Sequence, residues 1–108
     1  MRRVGRSGEL PWQELGGGQA RKVAAYNAEE MLVHVRFETG SVGADHTHPH
    51  TQISYVLEGR FSYHIEDVQY ILEKGDSIVV DGGKVHGCAC LEAGTLLDVF
   101  APMREDFV

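Results

Sequence analysis

No stretch of this chain sustains the apolar spacing of a long helix; short apolar or alternating runs recur instead, each ended by a turn signal. The runs cover residues 21–27, 31–37, 52–58, 60–66, 68–74, 76–81, 85–91 and 95–100. Turn-forming residues fall between them at 27–30, 58–59, 66–67, 74–76, 81–83 and 92–94. About eight short strands at intervals of roughly ten residues fit a sandwich or small barrel and not a βαβ fold. The fold class is therefore expected to be all-β. Residues 1–20, through "LGGG", carry no periodicity and are expected as an arm lying on the barrel or on a partner subunit.

At 108 residues the chain has the size of one domain with one core. Its formal charge is −6, and its Lys and Arg residues are scattered, which argues against nucleic acid or an anionic membrane as partner. "MRRVGRSGELPW" has basic residues with no apolar run behind them, so it does not read as a secretory signal. No run approaches the roughly 18 apolar residues of a membrane span. Cys88 and Cys90, the two cysteines, lie too near along one strand for an unstrained disulfide. They read as reduced thiols that fill a core, and a cytoplasmic protein is expected.

The chemistry concentrates in "DHTHPHTQ", residues 45–52. His46 and His48 are two apart, so on extended backbone both imidazoles point to one side. Gln52 keeps that parity, and His86 opens a distant strand in "GKVHGCA". Two ligands from one strand, a third shortly after and a fourth from afar describe a site inside a barrel. Imidazole and amide ligands suit one divalent first-row metal. His34 and His64 read as solvent-facing, and His50, beside Pro49, as exposed or supporting the ligands. A glutamine where a carboxylate is expected leaves the full 2+ charge for whatever else binds. Such a site attracts an anionic, oxygen-rich ligand and acts on it as a Lewis acid.

Asp98 sits in the apolar run "TLLDVF", where an ionised carboxylate is costly unless it is partnered or has a task. Facing outward, the ordinary placement, it is a surface residue. Facing inward, with Leu96 and Phe100, it offers a general acid/base beside the metal. Arg104, four residues past Phe100, reaches the barrel mouth and is suited to hold a carboxylate.

The glycine spacing points to a family. Gly40, five residues, His46-x-His48, three residues, Gln52, six residues and Gly59 resemble the first motif of the cupins, with Gln in place of Glu. Gly75, five residues, Asp81-x-Gly83, two residues and His86 resemble the second, with Asp81 in place of Pro and Cys90 where Asn is common. The resemblance implies a single-domain jelly-roll β-barrel, with its core over residues 36–103 and a metal inside. "PWQELGGGQARKV", "HTHPHTQISYVLEGRF", "GDSIVV" and "CLEAGTLLDVFAPMREDFV" are similar, more narrowly, to the small cupins of pectin degradation. That family opens the ring of 4,5-unsaturated monouronates released by pectin or alginate lyases, giving the linear 4-deoxy-5-keto uronate. The resemblance implies that His46, His48, Gln52 and His86 hold the metal, whether Ni, Zn, Mn or Fe. It further implies that Asp98 is the acid/base, and that Phe100 and Arg104 line the site of a small anionic sugar.

Two other functions fit three histidines: an iron-dependent cupin dioxygenase, and a non-catalytic sugar- or metal-binding module. The neutral glutamine disfavours a redox cycle, and no DNA-binding segment accompanies the barrel. A homodimer is expected, with Trp12 of the arm in the interface as an aromatic that a small barrel does not bury alone.

Overall fold

The computed structural model describes residues 1–108 and contains eight strands. They are β1 (Gln13–Gly16), β2 (Gln19–Tyr26), β3 (Met31–Phe37), β4 (Val42–His46), β5 (Thr51–Ile65), β6 (Val68–Glu73), β7 (Ser77–Val80) and β8 (His86–Ala101). Single 3-10 turns lie at Ser7–Glu9 and Glu105–Phe107, and no helix is long and apolar enough to cross a membrane. All pairing is antiparallel, in the order β1-β2-β3-β8-β5-β6, with β4 added to β8 and β7 to β5. The sheet does not close, but it folds over on itself as a jelly roll.

β5 and β8 are the axis of that fold. They pair from Thr51↔Ala101 to Ile65↔His86, with register shifts between Val56 and Phe61. One half of the pair carries β7 and β3, the other β6 and β4. The sequence expected turns at 58–59 and 92–94; the structure has bends within two long strands instead. Gly59 has φ +91°, and a Cβ there would press on the Glu92 and Ala93 carbonyls. A Cβ at Gly94 would overlap the Glu58 carbonyl. These glycines permit a close crossing, not a reversal of direction. Two strands lie outside the expected runs: β1, inside the expected arm, and β4, which ends at His46, so that the one strand expected to carry both His46 and His48 carries only the first. The turns expected at 27–30, 66–67 and 74–76 do connect strands, and Asn27 closes the first by accepting the amides of Glu29 and Glu30 through Oδ1.

The interior holds Phe37, Val56, Phe61, Tyr63, Leu72, Val80, Cys88, Cys90 and Leu96 in one cluster, and Met31, Val33 and Phe100 in a second. Both thiols are free and buried. The arm lies on its own barrel. Trp12 receives the Lys22 ammonium and the Arg36 guanidinium at 4.5 and 4.3 Å from its ring centre. Trp12 is thereby half-buried against its own chain.

Candidate active site

His46 ends β4 and is the register partner of His86, which opens β8; His48 follows in the loop to β5. The His86 ring centre lies 4.2 Å from that of His46 and 4.8 Å from that of His48. One ring nitrogen from each of the three falls within 4.8 Å of the others. All three rings are oriented by the same device. Nδ1–H donates to the carbonyl of Ala44 in His46 (2.8 Å), of His50 in His48 (3.0 Å) and of Lys84 in His86 (2.9 Å). Each Nε2 is left with a free lone pair.

Those lone pairs lack protein donors. Nε2 of His86 is buried with no hydrogen-bond partner, and Nε2 of His48 lies 2.9 Å from Oε1 of Gln52, itself an acceptor. Two lone pairs facing each other in a buried site call for a cation between them. Three imidazoles and an amide oxygen fit a divalent first-row metal. Burial holds the His86 pKa down, to about 4, and lowers that of His48, so both rings are neutral, as ligands must be. The loop carrying the histidines is clamped from the other side: Gly83 donates its N–H to the His48 carbonyl at 2.8 Å, and a Cβ at Gly82 would overlap the Pro49 carbonyl.

From the histidine cluster a chain of hydrogen bonds runs into the barrel. Nε2 of Gln52 donates to Oγ of Ser54 at 3.0 Å, and the Ser54 hydroxyl donates to Oδ1 of Asp98 at 2.6 Å. Nε2 of Gln52 also reaches the Tyr63 hydroxyl at 3.4 Å. Gln52, Ser54, Tyr63 and Asp98 are all buried. Asp98 therefore faces inward, because the alternation of β8 sends Leu96, Asp98 and Phe100 to the interior together. Burial pushes its carboxyl up to about 6, against the hydrogen bonds of Ser54 and Gln52 and the charge of Arg104. Burial, then the Asp98 charge, push the Tyr63 phenol upward, so it stays protonated.

These groups border a cavity of about 320 Å³, lined by His46, Gln52, His86, Asp98, Phe100 and Arg104 among others. His48 stands behind Phe100, edge to face at 5.7 Å. A groove of about 390 Å³ beside Met1–Arg3 holds none of these groups. Arg104 lies 5.0 Å from the Phe100 ring centre and 4.3 Å from that of Phe107. Its Nε and Nη2 donate to Oδ1 and Oδ2 of Asp106, at 3.0 and 2.8 Å. This counterion of Arg104 was not expected from the sequence. His50 is a strut: its Nε2–H donates to the Met103 carbonyl at 3.1 Å, tying the histidine loop to the C-terminal segment. His34 and His64 stand apart from the cluster, and His64 is not simply solvent-facing, since its Nε2 bonds Oδ1 of Asp45 at 2.6 Å. Burial pushes the Cys88 thiol up to about 12, so no thiolate faces the cavity.

The family model for the cupin domain matches residues 33–100, from β3 to Phe100. This chain is a cupin. It is 41% identical over 110 residues to the pectin degradation protein KdgF of Dickeya dadantii (strain 3937), with all of both chains covered. Among solved structures it resembles an RmlC-like cupin from Shewanella frigidimarina NCIMB 400, with TM-score 0.96, 37% identity and 100% and 97% of the two chains covered. It also resembles KdgF from a Halomonas species, with TM-score 0.92, 36% identity and 97% of each chain covered.

Three residues that line the cupin cavity or hydrogen-bond the groups that do were not read from the sequence. Ser54 carried a usable signal, since it shares the parity of Gln52. Tyr63 carried a weaker one, as the inward neighbour of Phe61. Arg21 carried none: in "QARKVAAY" neither face is uniformly apolar, and the N-terminal arm covers Lys22, whose Nζ donates to the Ser7 carbonyl at 3.0 Å. As a whole the cavity offers one carboxyl with a mid-range pKa, a cluster of imidazoles and positive charge at the mouth. That set suits proton transfer on an anionic, oxygen-rich substrate.

Proposed function

We propose that this cupin opens the ring of a 4,5-unsaturated monouronate to the linear 4-deoxy-5-keto uronate. The carrying observation is the inward Asp98, held by Ser54 at 2.6 Å in the same cavity as the histidine cluster. The full-length similarity to a pectin degradation protein supports it. His46, His48, Gln52 and His86 would hold the metal, which when bound supplies Lewis-acid charge to the oxygens of an anionic ligand. Nickel, zinc, manganese and iron all suit that donor set.

The reaction is an isomerisation. Asp98 takes the proton of the C1 hydroxyl, the C1 carbonyl forms, and the bond from C1 to the ring oxygen breaks. The ring oxygen leaves as the enolate of C5. The proton is then returned to C4, and the C5 ketone forms. Atoms and charge balance, and no electron leaves the substrate. A carboxyl near pH 6 serves both directions of transfer. Phe100 presents a flat apolar face to the sugar, and Arg104 adds positive charge toward its carboxylate. Loss of the enol-ether absorbance of an unsaturated monouronate on adding metal-loaded protein tests this reading; an unchanged absorbance overturns it. Steady oxygen consumption with an organic substrate would instead favour the dioxygenase.

The protein is assigned to the cytoplasm, in keeping with its two free thiols. A homodimer is also proposed. The outer face of β5 and β7, where Ile53 (46% exposed) is the register partner of Val79 (55% exposed), supports it better than the arm.

A further inference from the structure

Two guanidinium groups border the cavity, and their hydrogen bonding divides them. Arg104 gives Nε and Nη2 to the carboxylate of Asp106, so most of its fork already faces an internal anion. Arg21 projects inward from β2, opposite Val35. It gives Nε to the neutral Oε1 of Gln13 at 3.2 Å, and its two terminal amino groups have no partner in the chain. No carboxylate pairs with it. Its guanidinium lies 3.8 Å from the ring centre of Phe107, the same ring that Arg104 approaches at 4.3 Å. An arginine thus lies over an aromatic ring at the border of a cavity, with its terminal amino groups unused. That is a preorganised receptor for a planar anion.

We propose that Arg21 binds the substrate carboxylate, end-on through its two terminal amino groups. Arg104, neutralised by Asp106, instead pins Phe107 and the C-terminal segment and lends charge from behind. The assignment rests on the uronate reading of the cavity. It places the C6 carboxylate under β2, at the Arg21 face of the Phe107 ring. Since Arg21 holds the carboxylate alike in substrate and transition state, its loss raises KM and spares kcat.

The test compares metal-loaded wild type, Arg21→Gln and Arg21→Lys by calorimetry, with galacturonate and the uncharged galactose as probes. Wild type is expected to prefer galacturonate. Arg21→Gln should weaken galacturonate binding about 10- to 100-fold, the usual loss for charge-assisted hydrogen bonds, and leave galactose binding unchanged. Arg21→Lys keeps the charge without the fork and should lose less, about 3- to 10-fold. Metal content and the far-UV spectrum are read on every variant. Should Arg21→Gln misfold, Arg21→Lys decides by the same comparison. Galacturonate affinity equal to wild type in the folded variants overturns the assignment. So does a wild type with no preference for galacturonate over galactose. A wild type that binds galacturonate through Arg21 but leaves the unsaturated monouronate intact overturns the proposed reaction and spares Arg21.

Discussion

Ser54 donates its hydroxyl to Oδ1 of Asp98 across 2.6 Å, and both residues are buried. The two are register partners on β5 and β8, the strands that bend through the whole barrel. Asp98, the proposed acid/base, is thereby fixed to the same strand that carries Gln52. Asp98→Asn keeps the shape and the neighbours while removing the titrating group. Turnover should fall about 10²–10⁴-fold, the usual contribution of a positioned acid/base. Metal content and galacturonate affinity should stay near wild type. Turnover within a few-fold of wild type at saturating unsaturated monouronate would sink the mechanism and leave the metal centre standing.

The amide of Gln52 performs a task closed to a carboxylate. Its oxygen faces the histidine lone pairs while its nitrogen donates to Ser54, which leaves the single Ser54 proton for Asp98. A glutamate accepts at both ends and would compete with Asp98 for that proton. Gln52→Glu should therefore bind metal at least as tightly as wild type, measured by competition with a chelator. Its kcat should nevertheless drop by about tenfold or more, part of what a positioned acid/base contributes. Wild-type kcat in a metal-replete Gln52→Glu would show that the amide is only an isostere.

The histidine cluster was readable because its spacing from the flanking glycines resembles that of a known motif. Strand parity is not what joins His46 and His48, since β4 ends at His46 and His48 lies in the following loop; His86 is brought to His46 by one antiparallel pairing. Gly59 and Gly94 misled for a physical reason. Glycine marks any place where backbone passes close, and a turn is only the commonest such place. The charged groups at the mouth were the least legible. The Arg104–Asp106 pair is local, yet nothing in "PMREDF" says which way the guanidinium faces, and Arg21 reaches the cavity from a strand more than eighty residues upstream of Arg104.

The crossing at Gly59 makes its own prediction. Its φ of +91° lies outside what side chains accept, and a Cβ would press on two carbonyls of β8. Gly59→Ala should cost about 2 kcal/mol or more in urea unfolding of the metal-free protein. Gly8→Ala, where an added Cβ meets nothing, is the control and should shift the midpoint little. Equal midpoints for the two variants would remove the close crossing as the reason for this glycine.

Two buried groups pull the stability of the metal-free protein in opposite directions over one pH window. The pKa of His86 is held near 4 in the fold against an ordinary 6.5, so between those values the unfolded chain binds the extra proton. Its contribution therefore falls as pH drops from 6.5 toward 4. Asp98 has the reverse sign. Its folded carboxyl titrates near 6 and its ordinary value is 3.8, so the folded chain binds the extra proton, and stability from this group is lost as pH rises through 6. The two trends partly cancel in wild type. Asp98→Asn removes one of them and exposes the other. In chelator, the thermal midpoint of Asp98→Asn should thus climb more steeply than that of wild type as pH rises from about 4 to about 6. Parallel curves for the two proteins across that window would mean that Asp98 titrates in the fold as it does in the open chain.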